Sequence, residues 1–508
     1  MTRVVSIGLD GAAWHKLDRM MMEGRLPNLR ELSERGARAP LRTVHPPVTC
    51  PAWRCSTSGK NPGKLGVFWW LNVDRKTGSM STPDARSFDT ADVWDYLSDE
   101  GKRCAVINAP MTYPPTEIKG TMVSGFGAPF DMKGGDSSIT YPAEFEPELR
   151  ERYDWKVGID DITTPEGRKK TYDVIRSRFE LLLDLLEDDY DYLHLTVFYI
   201  NMLQHKYGDT EETARGWEII DKYLGKLLDE DAVLLIYSDH GHSTIERTFV
   251  INRWLINQGH LTLKSDINDQ ATQKLYSLLT RVGVSPKRLA RVARNVFPTP
   301  VYERVISSAS LISTANLDEH VDWAESNAVA LSQGPLYINR ERLGEQYEEF
   351  RDLLQEELSM LTQEGKSVLS DVYTTSDIYK GSHLDRAPDL MLVSNGGWEI
   401  YGGIVPSTFE AQASSWTSGN HPVGILLCDG PEVTAGKVAE KSILDVAPTV
   451  LGLLDTPRPT DMDGTPMESL FERDINTGTR EPISWDAYSS TNDKDELSNR
   501  LKDLGYLE

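Results

Sequence analysis

Short runs of aliphatic and β-branched residues alternate with longer amphipathic stretches along this chain, and that alternation restricts it to a largely parallel sheet flanked by helices. The clearest strands are predicted over residues 3–9, 103–107, 192–198, 232–237 and 423–428. Residues 169–186 carry Tyr172, Ile175, Phe179, Leu182 and Leu186 at three- and four-residue steps, which predicts a helix with one face against the sheet. At 508 residues the chain exceeds what one hydrophobic core usually serves. We therefore expect a large α/β domain over 1–260 and 328–473, a helical insertion over 261–327 and a polar tail over 474–508 that ends in a short helix near 496–504. The insertion is locally basic at Arg281, Lys287, Arg288, Arg291 and Arg294, opposite Leu289, Val292 and Val296. It reads either as a solvated face or as a lid over an anionic ligand.

The 54 Lys and Arg are outnumbered by 78 Asp and Glu, a formal net charge of -24. Nucleic acid is thereby disfavoured as a partner, since a phosphate backbone needs a cationic face. The four cysteines are irregularly spaced and form no Cys-x-x-Cys pair, as expected in a reducing compartment. The first residues lack the apolar core and cleavage site of a signal peptide, and no apolar run approaches the 18 or more residues of a membrane span. A cytoplasmic location without a membrane span is the expectation. No feature of the sequence speaks to oligomeric state.

In open α/β sheets, ligands bind beyond the carboxyl ends of the strands. Polar residues of metal-binding type stand at several such places. The first strand ends at Asp10-Gly11, the third is followed by Asn201 and His205, and the fourth runs into Ser238-Asp239-His240-Gly241-His242. Gly419-Asn420-His421 precedes the last strand, and Thr49 lies in a Pro-rich turn that is expected to open a helix. Singly these are weak signals, because a strand-end Asp is often a cap and a lone His is often a packing residue. The adjacent pair Asp239-His240 is harder to explain by packing. Together the residues offer the carboxylate and imidazole mixture that zinc accepts. Two cations a few ångströms apart suit phosphoryl transfer, and a threonine hydroxyl, a poor nucleophile alone, is activated by a bound cation.

The ordered set Leu9-Asp10-Gly11, Thr49-Cys50-Pro51-Ala52-Trp53, Ser58-Gly59-Lys60-Asn61-Pro62-Gly63, Gln204-His205, Ser238-Asp239-His240-Gly241 and Gly419-Asn420-His421 resembles the alkaline phosphatase superfamily. Within it the chain is most similar to the type I phosphodiesterase and nucleotide pyrophosphatase group. The resemblance runs over 3–260 and 330–470, with Asp445-Val446-Ala447-Pro448-Thr449 and Asp461-Met462-Asp463-Gly464 in the closing segments. It implies a three-layer α/β/α core and a metal-dependent phosphoric ester hydrolase acting on a small phosphorylated substrate. By the same resemblance Thr49 is the nucleophile that forms a phospho-enzyme. One metal would be held by Asp10, Thr49, Asp239 and His240, the other by Asn201, His205 and His421. The family usually binds zinc, and some relatives use manganese.

Three departures stand out. Asn201 replaces the family's usual Asp, a neutral and weaker oxygen ligand. Leu65 stands where His is common. The Asn that nucleotide pyrophosphatases use to bind a phosphate oxygen gives way to Trp69-Trp70, so nucleotide specificity is not implied. Trp69, Trp70, Asn108 and His242 are candidates for the substrate side. The tryptophans are as readily core, Asn108 a structural turn, and His242 a hydrogen-bonding prop for a metal ligand. A sulfatase is disfavoured because Thr49 and Trp53 occupy the positions of its modified residue and its Arg. A phosphomutase would demand a larger insertion. The alternative of another class is a metal-impaired protein that binds a phosphorylated or glycan ligand.

Overall fold

The computed structural model describes residues 3–128, 138–159, 161–264, 312–484 and 505. The basic cluster 281–294 and the expected helix 496–504 lie outside the described residues. Nine strands and four helices position the site. The strands are β1 (Val4–Leu9), β2 (Ala37–Arg42), β3 (Cys104–Ala109), β4 (Gly120–Ser124), β5 (Tyr192–Val197), β6 (Val233–Tyr237), β7 (Gly241–Thr244), β8 (Ser418–His421) and β9 (Val423–Asp429). The helices are α1 (Trp14–Met22), α2 (Thr49–Ser58), α3 (Pro165–Leu186) and α4 (Tyr199–Tyr207).

The main sheet runs β2-β9-β6-β1-β5-β3-β4, and short edge strands complete ten. β6, β1, β5, β3 and β4 are mutually parallel. β9 enters antiparallel between β2 and β6, with Leu427 opposite Arg38 on one side and Ile236 on the other. Every residue of β1, β5 and β6 is buried. Such strands read as nearly continuous apolar runs because both faces of the sheet are covered. Alternate residues feed opposite faces: Val5, Ile7 and Leu9 join one core cluster with Leu195 and Ile236, whereas Val4, Tyr192, Val233 and Leu235 join the other.

α3 buries the predicted face of Tyr172, Ile175, Phe179, Leu182 and Leu186. It begins four residues before the expected start because Thr164 caps it, accepting from the Gly167 amide at 3.0 Å, and Pro165 occupies its first turn. β3 extends two residues beyond its expected end, and Asn108 sits there at φ 60 in a register shift of the ladder. Its amide donates to the Thr196 carbonyl at 2.7 Å, so Asn108 serves as a buried turn residue between β3 and β5. Strand signals near 334–339 and 387–393 fold into a separate antiparallel sheet of four strands. The Asp-Met-Asp-Gly segment closes over the end of α2, where Asp461 pairs with buried Lys60 at 2.6 Å and Asp463 accepts from the Asn61 amide at 2.9 Å.

Behind the site, His194 is fully buried within the sheet, bonded through Nδ1 to Ser6 Oγ at 2.8 Å and through Nε2 to Thr196 Oγ1 at 2.9 Å. Burial pushes its pKa down to about 3. The unfolded chain binds a proton at this residue near pH 6.5 while the folded chain does not until about pH 3, so the contribution to stability is full above 6.5 and is lost as pH falls. We expect the slope of unfolding free energy against pH between pH 6 and 4 to become shallower in His194→Gln by about one proton, or roughly 1.4 kcal/mol per pH unit. Denaturant titrations across that range provide the check; equal slopes in both proteins would refute it.

Candidate metal centre

β1, β5 and β6 are neighbours in register, with Leu9 opposite Val197 and Gly8 opposite Tyr237. They therefore deliver Asp10, the start of α4 and Ser238-Asp239-His240 to one rim. There Asp10, Asp239 and His240 offer ligand atoms that all lie within 4.8 Å of one another. His240 Nε2 stands 3.3 Å from Asp239 Oδ2 and 3.7 Å from Asp10 Oδ1. Thr49, the first residue of α2, brings its Oγ1 to 3.3 Å from the same Nε2. His240 donates from Nδ1 to the Gly241 carbonyl at 2.8 Å, which leaves the Nε2 lone pair facing the carboxylates and the threonine.

All four side chains are fully buried. Burial, and then the charge of Asp239, raises the Asp10 pKa well above the usual carboxylate range against smaller contributions from Trp53, Asn201 and Thr49. Burial likewise raises that of Asp239, opposed by His240. Asp10 Oδ1 and Asp239 Oδ2 are buried with no hydrogen-bond partner, whereas each carboxylate's second oxygen is satisfied. Asp10 Oδ2 accepts from Trp53 Nε1 at 2.9 Å and Asp239 Oδ1 from the Gly11 amide at 3.2 Å. Two unpartnered carboxylate oxygens and one imidazole nitrogen, close together and away from solvent, fit a divalent cation.

Asn201 lies on α4, one turn before His205. Its amide oxygen would stand 2.3 Å from a Cβ at Gly11, a residue at φ 67, so the turn after β1 accepts only glycine. Gln204 locks that turn by donating from Nε2 to the Gly11 carbonyl at 3.0 Å. His205 donates from Nδ1 to the Ser418 carbonyl at 2.7 Å, and its ring stacks on Trp416 with centroids 3.7 Å apart. Burial lowers its pKa to about 3. Among the described residues, His205 and His421 belong to no group of three His, Cys or acidic ligand atoms this close. His421 is exposed at the end of β8, opposite Gly241 of β7.

The remaining candidates are buried. His242 is fully buried, its ring 5.4 Å from that of His205. The Ser418 hydroxyl donates to the Gln204 carbonyl at 2.8 Å and so accepts from His242 Nε2, which makes His242 a prop for the segment that holds His205. Trp69 and Trp70 are fully buried in the main core; Trp69 donates to Gln333 at 3.0 Å and Trp70 packs edge-on against Phe126.

Sequence reasoning had placed Trp53 only as a motif residue. Its position one helical turn after Thr49, on the same face of α2, was the available signal for its bond to Asp10. Lys16 on α1 carried no such signal. It is buried against Asp209 at 3.0 Å, and its charge reaches His15, His205 and His242.

Because Trp53 fixes which Asp10 oxygen faces the group, we expect Trp53→Phe to weaken zinc binding by roughly 10- to 100-fold, the usual effect of losing a partner of a metal ligand. Calorimetric titration with zinc reads this, and an unchanged affinity in a folded variant would count against the fit described here.

A family model described as Type I phosphodiesterase / nucleotide pyrophosphatase matches residues 4–423. No curated protein matches the chain.

Proposed function

Since the chain belongs to the type I phosphodiesterase / nucleotide pyrophosphatase family, whose members are phosphoric ester hydrolases, we propose that it cleaves small phosphorylated substrates through a phosphothreonine at Thr49. One divalent cation would be held by Asp10, Thr49, Asp239 and His240, and a second by Asn201, His205 and His421. The observation that carries this reading is the pair of buried, unpartnered carboxylate oxygens beside His240 Nε2 and the Thr49 hydroxyl.

Bound cations would supply charge neutralisation of the phosphoryl group and a lowered pKa for the attacking hydroxyl. The chain's own part is positional. Thr49 is the first residue of a ten-residue helix, and the positive end of that helix, with the Thr49 and Cys50 amides, favours an anionic phosphoryl group beside its hydroxyl. Thr49 Oγ1 would form a bond to phosphorus as the ester P–O bond breaks; its proton passes to solvent, and the departing alkoxide takes up a proton from solvent to leave as the alcohol. Water then breaks the phosphothreonine bond and frees the hydroxyl for another turnover.

The two cation sites differ in strength on this reading. The first has two carboxylates. The second has a neutral amide at Asn201 and lies within reach of the Lys16 charge, both of which work against a further cation. Zinc suits the nitrogen and oxygen donors best, with manganese the second choice. The four cysteines are all free and buried, in keeping with a cytoplasmic location. No helix among the described residues is long and apolar enough to cross a membrane.

Thr49→Ala is expected to bring turnover of bis(p-nitrophenyl) phosphate by the zinc- or manganese-loaded protein down to background, and chelation is expected to do the same reversibly. Full metal loading with no turnover of any phosphoric ester would instead favour a binding-only protein. Asn201→Asp is expected to tighten the weaker of two zinc equivalents by about tenfold or more, through an added ligand charge. A calorimetric isotherm identical to that of the unmodified protein would remove Asn201 from the ligand set.

A further inference from the structure

Beside the metal centre lies a cavity of about 280 Å³, walled in part by Pro47, Ile245, Trp398, Trp416, Asn420 and His421. Two contacts join it to the site. Trp416 stacks on His205 at 3.7 Å with the rings 12° from parallel. Asn420 donates from Nδ2 to the carbonyl of Pro47, two residues before Thr49, at 2.7 Å. A group held in this cavity is therefore flanked by the nucleophile's turn on one side and by candidate metal ligands on the other.

The lining states what it would accept. Among the described residues its lining contains one carboxylate, Glu399, and no lysine or arginine. Half-buried Trp398 offers indole surface, and Ile245, Leu392 and Ile400 add aliphatic surface. An apolar cavity of roughly 150 Å³ takes up benzene, so the volume here suits one ring with substituents.

We infer that this cavity receives the alcohol moiety of the ester substrate, and that the moiety carries an aromatic ring. The inference rests on the hydrolase reading above, to which it adds a substrate class. Trp398 is a specificity-determining residue on this view, since it contributes ring-stacking surface without belonging to either set of metal ligands.

The test compares methyl phenyl phosphate with dimethyl phosphate, which differ in whether a ring-bearing alcohol can depart, each as a competing substrate against bis(p-nitrophenyl) phosphate on the metal-loaded protein. The phenyl ester is expected to have the lower KM by roughly fivefold to tenfold, the scale of one stacked ring. Trp398→Ala is expected to collapse that ratio towards one. Gly396→Trp is the second variant. A Cβ at Gly396 would meet no atom within 4 Å, so the indole can enter the cavity mouth without disturbing the fold. It too should abolish the preference. A ratio near one in the unmodified protein, or a preference that survives both substitutions, overturns the inference. If neither ester is turned over, the hydrolase reading fails by itself, and the cavity is judged by tryptophan fluorescence titration with phenyl β-glucoside. Quenching that Gly396→Trp removes supports a ring-binding cavity, and no quenching in the unmodified protein refutes it.

Discussion

Two carboxylates buried side by side set the terms for this site. Asp10 and Asp239 follow the ends of the adjacent strands β1 and β6, whose pairing brings their backbones side by side. Each has one oxygen secured, by the Trp53 indole and the Gly11 amide, and the other left without a partner beside His240. A pair of this kind is unfavourable in a dry environment unless protons or a cation answer it, and burial together with mutual repulsion drives the Asp10 pKa up. Cation binding is thereby coupled to stability, because the strain is present in the folded chain alone.

Around that pair the chain builds a lattice of short-range supports. Gln204 holds the turn at Gly11, Ser418 receives His205 through its carbonyl and His242 through its hydroxyl, and the same hydroxyl returns to the Gln204 carbonyl. One loop of bonds thus links α4, β7 and β8. Such closed networks orient imidazoles by fixing which nitrogen carries the proton, and here this one does so for His205 and His242, while the Gly241 carbonyl does so for His240. Lys16, bonded to Asp209, places a fixed positive charge near His205 and His242.

The strands that carry the site were legible in the sequence because fully covered strands leave continuous apolar runs, and the polar residues that end them stand out by contrast. Asp10, Asp239 and His240 were found in this way, and the structure brings them together. The face of α3 was legible from its period. What the sequence concealed depends on packing between segments distant along the chain. The order of strands placed β9 antiparallel in the sheet, which no local pattern records. Trp69 and Trp70 are indistinguishable by residue type from Trp398, yet the pair fills the core while Trp398 stands half-buried in the wall of a cavity. A tryptophan's neighbours, and not its identity, decide that.

The antiparallel position of β9 has a consequence for how the molecule comes together. β2 and β6, nearly two hundred residues apart in sequence, have no hydrogen bonds to each other and are joined through residues 423–429. Without that strand β6 keeps an open edge and β2 has no link to it, while Asp10, Asp239 and His240 already stand on strands that pair without it. The side of the rim that carries His421 therefore depends on a closure between segments nearly two hundred residues apart, and long-range closures of this sort are slow steps in folding.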